Sequence, residues 1–259
     1  MPLNEDTILT MYLAFWLTVL GAALGSFLDC AVSRWAAGER MFAGRSRCFS
    51  CGHILSVFDL IPVFSWLFHR GKCGYCGEKI PADCLWAELA GGSIFLLLTL
   101  TIPPPALFQW LIWAGLLLAL GLTDWARQII PNRLLLALAI NRIVWFFVLK
   151  GEYFAIFETL LACIVPAALL ALVLAGEWLT GRELMGGGDI KLLFALALYL
   201  TWAQLLLTLL SGCLLGLVWA VLSGQRRGTA VPFGPFLAAG AVLTVCWGSP
   251  LLQWYFSLF

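Results

Sequence analysis

Eight long apolar segments, separated by short polar stretches, take up most of this chain. Several of them approach the roughly 20 residues that a helix needs to cross a bilayer. Only 11% of the residues are charged and the mean hydropathy is +0.96, so there is too little polar surface for a water-soluble globule of this size. We therefore predict an all-α polytopic membrane protein with about eight transmembrane helices. The apolar segments are 8–31, 85–102, 106–123, 134–150, 154–175, 190–201, 203–223 and 233–257.

One long polar insertion, residues 32–83, follows the first apolar segment. It divides the chain into three predicted parts: a first transmembrane helix at 1–31, a cysteine-rich domain at 32–83 and a seven-helix core at 84–259. A cleavable signal peptide begins with basic residues, but no Lys or Arg precedes the first apolar segment here. We therefore expect that segment to remain in place as a membrane helix.

Basic residues lie almost entirely on one side of this predicted bundle. Thirteen of the fifteen Lys and Arg residues fall in the insertion and in or at the edges of the loops after the third, fifth and seventh apolar segments. The positive-inside rule therefore places the insertion in the cytoplasm and, with eight spans, both termini on the far side of the membrane. The expected surroundings are a lipid bilayer. A net charge of +1 gives no reason to expect a nucleic-acid partner.

Four of the nine cysteines form two C-x-x-C pairs in the insertion, Cys48 with Cys51 and Cys73 with Cys76. Two such pairs can supply four thiolates to a tetrahedral zinc ion. The cytoplasm keeps thiols reduced, which favours a metal site over disulfides. We predict a structural Zn2+ in a zinc knuckle, because four protein ligands leave no position open for water. A redox-active pair or unliganded thiols are the alternatives.

Two acidic residues occupy comparable places at the predicted cytoplasmic edge of the bundle. Asp124 ends the third apolar segment, and Asp189 opens the sixth, directly after Gly186, Gly187 and Gly188. Ionisable side chains at the membrane are costly and indicate a functional site, although each acid could instead cap a helix or meet lipid headgroups. The three glycines remove side chains where a backbone or a substrate approaches.

Helix dipoles suggest how the two acids could differ. A helix N-terminus favours the ionised form of Asp189, and a helix C-terminus favours the protonated form of Asp124. Such a split suits an aspartic protease, in which one carboxylate activates water and the other hydrogen-bonds the scissile carbonyl. We therefore predict Asp124 and Asp189 as a catalytic pair, with Asp189 as the base and Asp124 as the acid.

Several segments, in order along the chain, resemble the type IV prepilin peptidases, which are G-x-G-D membrane aspartic proteases. These segments are Gly25-Ser26-Phe27-Leu28, the four-cysteine insertion, Asp124 with Ile130-Pro131-Asn132, the Gly186-to-Asp189 element and Val231 to Ala238. The resemblance implies that Asp124 and Asp189 cleave pilin or type II secretion pseudopilin precursors after a basic leader. It also implies a location in the bacterial inner membrane, with the active site at the cytoplasmic face and both termini in the periplasm. Members with four cysteines commonly also methylate the new N-terminal amine with S-adenosylmethionine, so that activity is expected through the resemblance.

The chain departs from the family pattern beside the insertion. Asp29 stands where the family usually has Asn, and Asp83-Cys84-Leu85 replaces an Arg-Tyr-Pro stretch. These changes cluster in the region associated with methylation, so a peptidase without methyltransferase activity is one alternative. The other alternative is a zinc-knuckle membrane scaffold or transporter, in which Asp124 and Asp189 would serve an ion path.

Overall fold

The computed structural model describes residues 5–41, 44–48, 50–149, 156–224 and 232–258, without the side chains of residues 5 and 6. Within these residues the chain is helical and has no strands, only two isolated β-bridges. The α-helices are α1 Glu5–Ala36, α2 Phe64–Phe68, α3 Ala82–Thr101, α4 Pro104–Arg127, α5 Asn132–Val148, α6 Ile156–Thr180, α7 Gly187–Ala197, α8 Trp202–Leu222 and α9 Gly234–Phe256.

Every predicted apolar segment contains a helix, which confirms the all-α membrane fold. Among the described residues, six helices are long and apolar enough to cross a membrane: α1, α3, α4, α6, α8 and α9. The helices of the other two apolar segments are shorter, with 17 residues in α5 and 11 in α7. All eight segments are therefore helices, and six of them have spanning length.

The chain forms two compact units, Met1–Leu122 and Thr123–Phe259. In the first unit α1 packs along α3. A Cβ on Gly21 or Gly25 of α1 would overlap the carbonyl oxygens of Gly91 and Ala87 on α3. Small residues of this kind let helix backbones approach closely inside a membrane. The predicted domain boundaries at residues 31 and 83 stay a prediction.

In the second unit the short helix α7 contacts α5, α6, α8 and α9. Its side chains Leu192, Leu193 and Leu196 are fully buried. Helix α8 packs along α9, where a Cβ on Gly240 would lie 2.7 Å from the carbonyl oxygen of Thr208. A short helix surrounded by four others holds its first turn, which carries Asp189, in a defined place.

Candidate active site and metal centre

Asp124 lies in the last turn of α4 and is only 6% exposed. Its Oδ2 atom accepts a hydrogen bond of 2.9 Å from the backbone N–H of Gly234, the first residue of α9. A Cβ on residue 234 would lie 2.7 Å from the same oxygen, so the contact requires glycine. A backbone N–H that donates to a carboxylate stabilises its ionised form.

Asp189 lies in the first turn of α7, as the sequence predicts, and its side chain is half-buried. Burial raises the pKa of Asp189 to about 6, and repulsion from the nearby Asp124 carboxylate adds to the shift. The two predicted acids therefore lie close enough to interact as charges. Burial outweighs the helix dipole at this position, so Asp189 takes up a proton more readily than an exposed aspartate does. The assignment of base and acid within the pair stays a prediction.

The three glycines before Asp189 have different surroundings. A Cβ on Gly188 would lie 3.3 Å from the side chain of Ile130, whereas one on Gly187 would meet nothing within 4 Å. A Cβ on Gly186 would lie 3.4 Å from the carboxylate of Asp189, an ordinary contact. Only Gly188 packs tightly against another element. Because Ile130 follows the end of α4, this contact brings the first turn of α7 to the end of α4.

Two features of the connection between α4 and α5 support this arrangement. Gln128 turns the chain with a φ of +53°, and its N–H donates to the carbonyl oxygen of Asp124 at 2.7 Å. The Lys191 ammonium of α7 lies 3.5 Å from the side-chain oxygen of Asn132, at the limit of a hydrogen bond. The segment from Ile130 to Asn132, singled out in the sequence, thus holds α7 near Asp124.

The four predicted metal ligands form one cluster in the first unit. The sulfur atoms of Cys48, Cys51, Cys73 and Cys76 all lie within 4.8 Å of one another, and those of Cys48 and Cys76 are 3.9 Å apart. Tetrahedral zinc with Zn–S bonds of about 2.3 Å separates its sulfurs by about 3.8 Å. Backbone N–H groups of Cys51 and Ser50 lower the pKa of the Cys48 thiol to about 7, which favours a thiolate ligand. The cluster can therefore hold a metal ion.

Two similar turns bring the cysteine pairs together. In each turn the N–H of the first cysteine donates to a carbonyl oxygen five residues later, at 2.9 Å from Cys48 and 2.7 Å from Cys73. A glycine with positive φ follows each second cysteine, Gly52 at +72° and Gly77 at +75°. Glycine adopts this backbone conformation without a steric cost. Gly52 and Gly77 therefore allow the two turns that place the cysteine pairs.

The structure adds one residue whose role was missed in the sequence. Gly234 belongs to the segment from Val231 to Ala238 that resembles the prepilin peptidases, but its contact with Asp124 was not predicted. Val231 itself lies outside the described residues. The sequence shows only that Gly234 lies between Pro232 and Pro235 at the start of an apolar segment. The two prolines restrict the backbone there, but they do not indicate that Gly234 contacts Asp124.

Family profiles match two parts of the chain. The profile of the bacterial peptidase A24 N-terminal domain matches residues 19–102. The profile of the type IV leader peptidase family matches residues 111–221. The first match contains the four-cysteine cluster, and the second contains both acids of the candidate active site. No solved structure matches the chain.

Curated relatives named "Prepilin leader peptidase/N-methyltransferase" cover most of the chain. The relative from Dichelobacter nodosus is 36% identical over 214 residues, which are 80% of this chain and 73% of the relative. The relative from Stutzerimonas stutzeri is 32% identical over 92% of this chain and 91% of its own length. A relative from Pectobacterium carotovorum subsp. carotovorum is 30% identical over 90% of this chain and 93% of its own length. By these matches, the chain is a multi-pass membrane peptidase that belongs to the type IV leader peptidase family.

Proposed function

We propose that this chain removes the leader from type IV prepilin-like precursors, either pilins or type II secretion pseudopilins, with Asp124 and Asp189 as its catalytic carboxylates. One observation carries the proposal: two acids from different helices lie close enough to repel each other. Two neighbouring carboxylates cannot both ionise easily, so the pair shares a proton. A carboxylate and a carboxylic acid side by side are what aspartic proteolysis needs.

The surroundings of the two acids suggest their roles. Asp124, which accepts the N–H of Gly234, is the ionised base and takes a proton from the attacking water. Asp189, whose pKa is raised to about 6, holds the shared proton in the reactive form of the pair and hydrogen-bonds the carbonyl oxygen of the scissile bond. The water oxygen bonds to the carbonyl carbon. The C–N bond then breaks as the leaving amine takes the proton from Asp124.

The proposed orientation follows from the charge pattern. With thirteen of fifteen basic residues on one side, the insertion and both catalytic acids lie on the cytoplasmic side and both termini lie in the periplasm. The hydrophobic helix of a precursor would enter the lipid beside the protein. Its leader would then remain in the cytoplasm, at the depth of Asp124 and Asp189.

We also infer a second activity, N-methylation of the new N-terminal amine, because the relatives carry that activity in their name. S-adenosylmethionine, when bound, supplies the methyl group. The four-cysteine cluster would hold Zn2+ in a structural role, since its four thiolates fill every position of a tetrahedral ion.

A cleavage assay with a pilin-like precursor and the purified chain in detergent tests the peptidase. We expect Asp124→Asn and Asp189→Asn each to lower the cleavage rate about a thousandfold, because an amide can neither accept nor hold the shared proton. Glu183→Gln, in the exposed loop before α7, is the matched control and should stay within about twofold of wild type.

Either aspartate variant cutting at close to the wild-type rate would exclude the carboxylate pair. A wild-type chain that leaves the precursor intact would favour the scaffold or transporter alternative. Labelled S-adenosylmethionine added to the same assay separates a peptidase that also methylates from one that only cleaves.

A further inference from the structure

The first unit contains a cavity of about 800 Å³. It is bounded by the C-terminal half of α1, the start of α3 and the cysteine-rich insertion, and its walls include Asp29, Trp66, Cys84 and Glu88. Sites for small molecules and cofactors usually measure about 300–1,000 Å³. The cavity is therefore large enough for a nucleoside-sized ligand, and the proposed peptidase reaction makes no use of it.

The glycine contact between α1 and α3 brings acidic residues together at this cavity. Residues four apart share one face of a helix, so Asp29 continues the face of α1 that carries Gly21 and Gly25. On α3, Glu88 lies one turn before Gly91, which meets the same face of α1. The carboxylate of Asp29 accepts a hydrogen bond from the Cys84 thiol, and the charge of Glu88 acts on both groups.

Within the part of the chain that the structure describes, these acids have no cation as a partner. Glu88 is only 7% exposed, and its Oε2 atom accepts a hydrogen bond of 2.7 Å from the backbone N–H of Val63. Among the described residues, neither Asp29 nor Glu88 has a basic side chain within ion-pair distance. A buried carboxylate without a counter-charge is costly, so a ligand with a positive group would stabilise this wall.

The basic side chains around the cavity are engaged elsewhere or reach solvent. Arg34 donates to the carbonyl oxygens of Gly44 and Arg45, and Arg47 pairs with Glu39 at 2.9 Å. The side chains of Lys72 and Lys79 are exposed to solvent. The cavity thus combines an acidic inner wall with a basic outer part. Such a combination suits a small zwitterion better than a lysine-rich leader, which the outer basic residues would repel.

A further group without a partner lines the same cavity. The indole N–H of Trp66 is buried and has no hydrogen-bond acceptor among the described residues. Buried polar atoms of this kind normally find a partner, and a bound ligand can supply it. An aromatic ring beside acidic groups is also a common setting for a cationic ligand.

We propose that this cavity is the S-adenosylmethionine site and that Asp29 and Glu88 face the positive sulfonium of the molecule. The proposal rests on the inferred methylation activity. S-adenosylmethionine carries a positive sulfonium, an ammonium and a carboxylate, which match an acidic wall with a basic outer part. Asp29 stands where the family usually has Asn, so this wall is more acidic than in that pattern.

Equilibrium binding to the purified full chain in detergent tests the site, with S-adenosylmethionine compared against S-adenosylhomocysteine, which lacks the sulfonium charge. We expect Glu88→Gln and Asp29→Asn each to weaken binding of the sulfonium ligand about tenfold and to change binding of the neutral thioether less than about twofold. Gln and Asn keep the acceptor oxygens for the bonds to Val63 and Cys84. Asp83→Asn, an exposed acid beside Cys84 that does not line the cavity, should bind both ligands as wild type does.

Three results would overturn the assignment. The first is that both variants bind both ligands as wild type does. The second is an equal loss of both ligands in variants that keep their metal content and melting temperature. The third is that a basic leader peptide, and not the methyl donor, loses affinity. If the wild-type chain methylates and the variants bind S-adenosylmethionine normally, only this assignment of the site is wrong. If the wild-type chain neither methylates nor binds S-adenosylmethionine, both the site assignment and the inferred methylation activity are wrong.

Discussion

Asp189 shows how burial can outweigh the effect of a helix dipole on a carboxylate. A helix terminus changes the energy of a nearby charge by roughly 0.3–1 kcal/mol at exposed positions. Raising the pKa of Asp189 from 3.8 to about 6 corresponds to about 3 kcal/mol before any allowance for solvent. Half of that figure, as a discount for partial exposure, still exceeds the dipole effect. Burial, together with repulsion from Asp124, therefore favours the protonated form of Asp189 more strongly than the helix dipole favours its ionised form.

Gly234→Ala tests the hydrogen bond that supports Asp124. The added Cβ would lie 2.7 Å from the Asp124 Oδ2 atom, so the carboxylate has to move away from its position. We expect the kcat of precursor cleavage to fall about tenfold to a hundredfold, with a smaller change in KM, because a small misplacement of a catalytic group is costly. Steady-state kinetics of the purified variant give both numbers.

Gly216→Ala is the matched control, because it adds the same methyl group to a helix of the same unit. A Cβ there would meet only the Phe236 ring, at an ordinary 3.4 Å. We expect its kcat to stay within about twofold of wild type. Equal kcat values for the two alanine variants would mean that Gly234 does not position Asp124.

Helix α7 marks the limit of what could be predicted at the scale of an element. The apolar run after Asp189 predicts a helix there, and the three glycines predict a close approach. The sequence does not distinguish the glycines, whereas the structure places only Gly188 tightly against Ile130. That contact joins positions 58 residues apart, and no local pattern encodes it. The same holds for Gly234 and Asp124, which lie 110 residues apart.

Gly187→Ala and Gly188→Ala should have opposite effects on stability. Alanine is favoured over glycine in a helix by up to about 1 kcal/mol where there is space for its Cβ. Position 187 has that space, so we expect a higher melting temperature there. At position 188 the Cβ would press on Ile130, so we expect a lower melting temperature and slower cleavage. Thermal unfolding in detergent measures both melting temperatures. If both substitutions raise the melting temperature equally, Gly188 does not pack tightly against Ile130.

At the scale of the whole molecule, the chain keeps its two candidate sites in separate compact units. The thiol cluster and the acidic cavity belong to Met1–Leu122, and Asp124 and Asp189 belong to Thr123–Phe259. The apolar segments and the cysteine spacing are enough to predict both the membrane fold and the cluster. They are not enough to predict the cavity, because its acidic wall depends on how closely α1 approaches α3.

This separation predicts that metal loss affects the two activities differently. Cys48 and Cys73 line the cavity, so removing the metal that their cluster would hold should disorder one of its walls. We expect a strong chelator, or Cys73→Ser, to weaken S-adenosylmethionine binding tenfold or more while precursor cleavage falls by less than about threefold. Metal analysis, ligand binding and cleavage are measured on the same sample.

Cys213→Ser, at an exposed position of α8, is the control and should keep its metal and both activities. Cleavage that declines in step with metal content would contradict the independence of the two units, because the proposed catalytic acids and the glycines beside them lie outside the unit that holds the thiols.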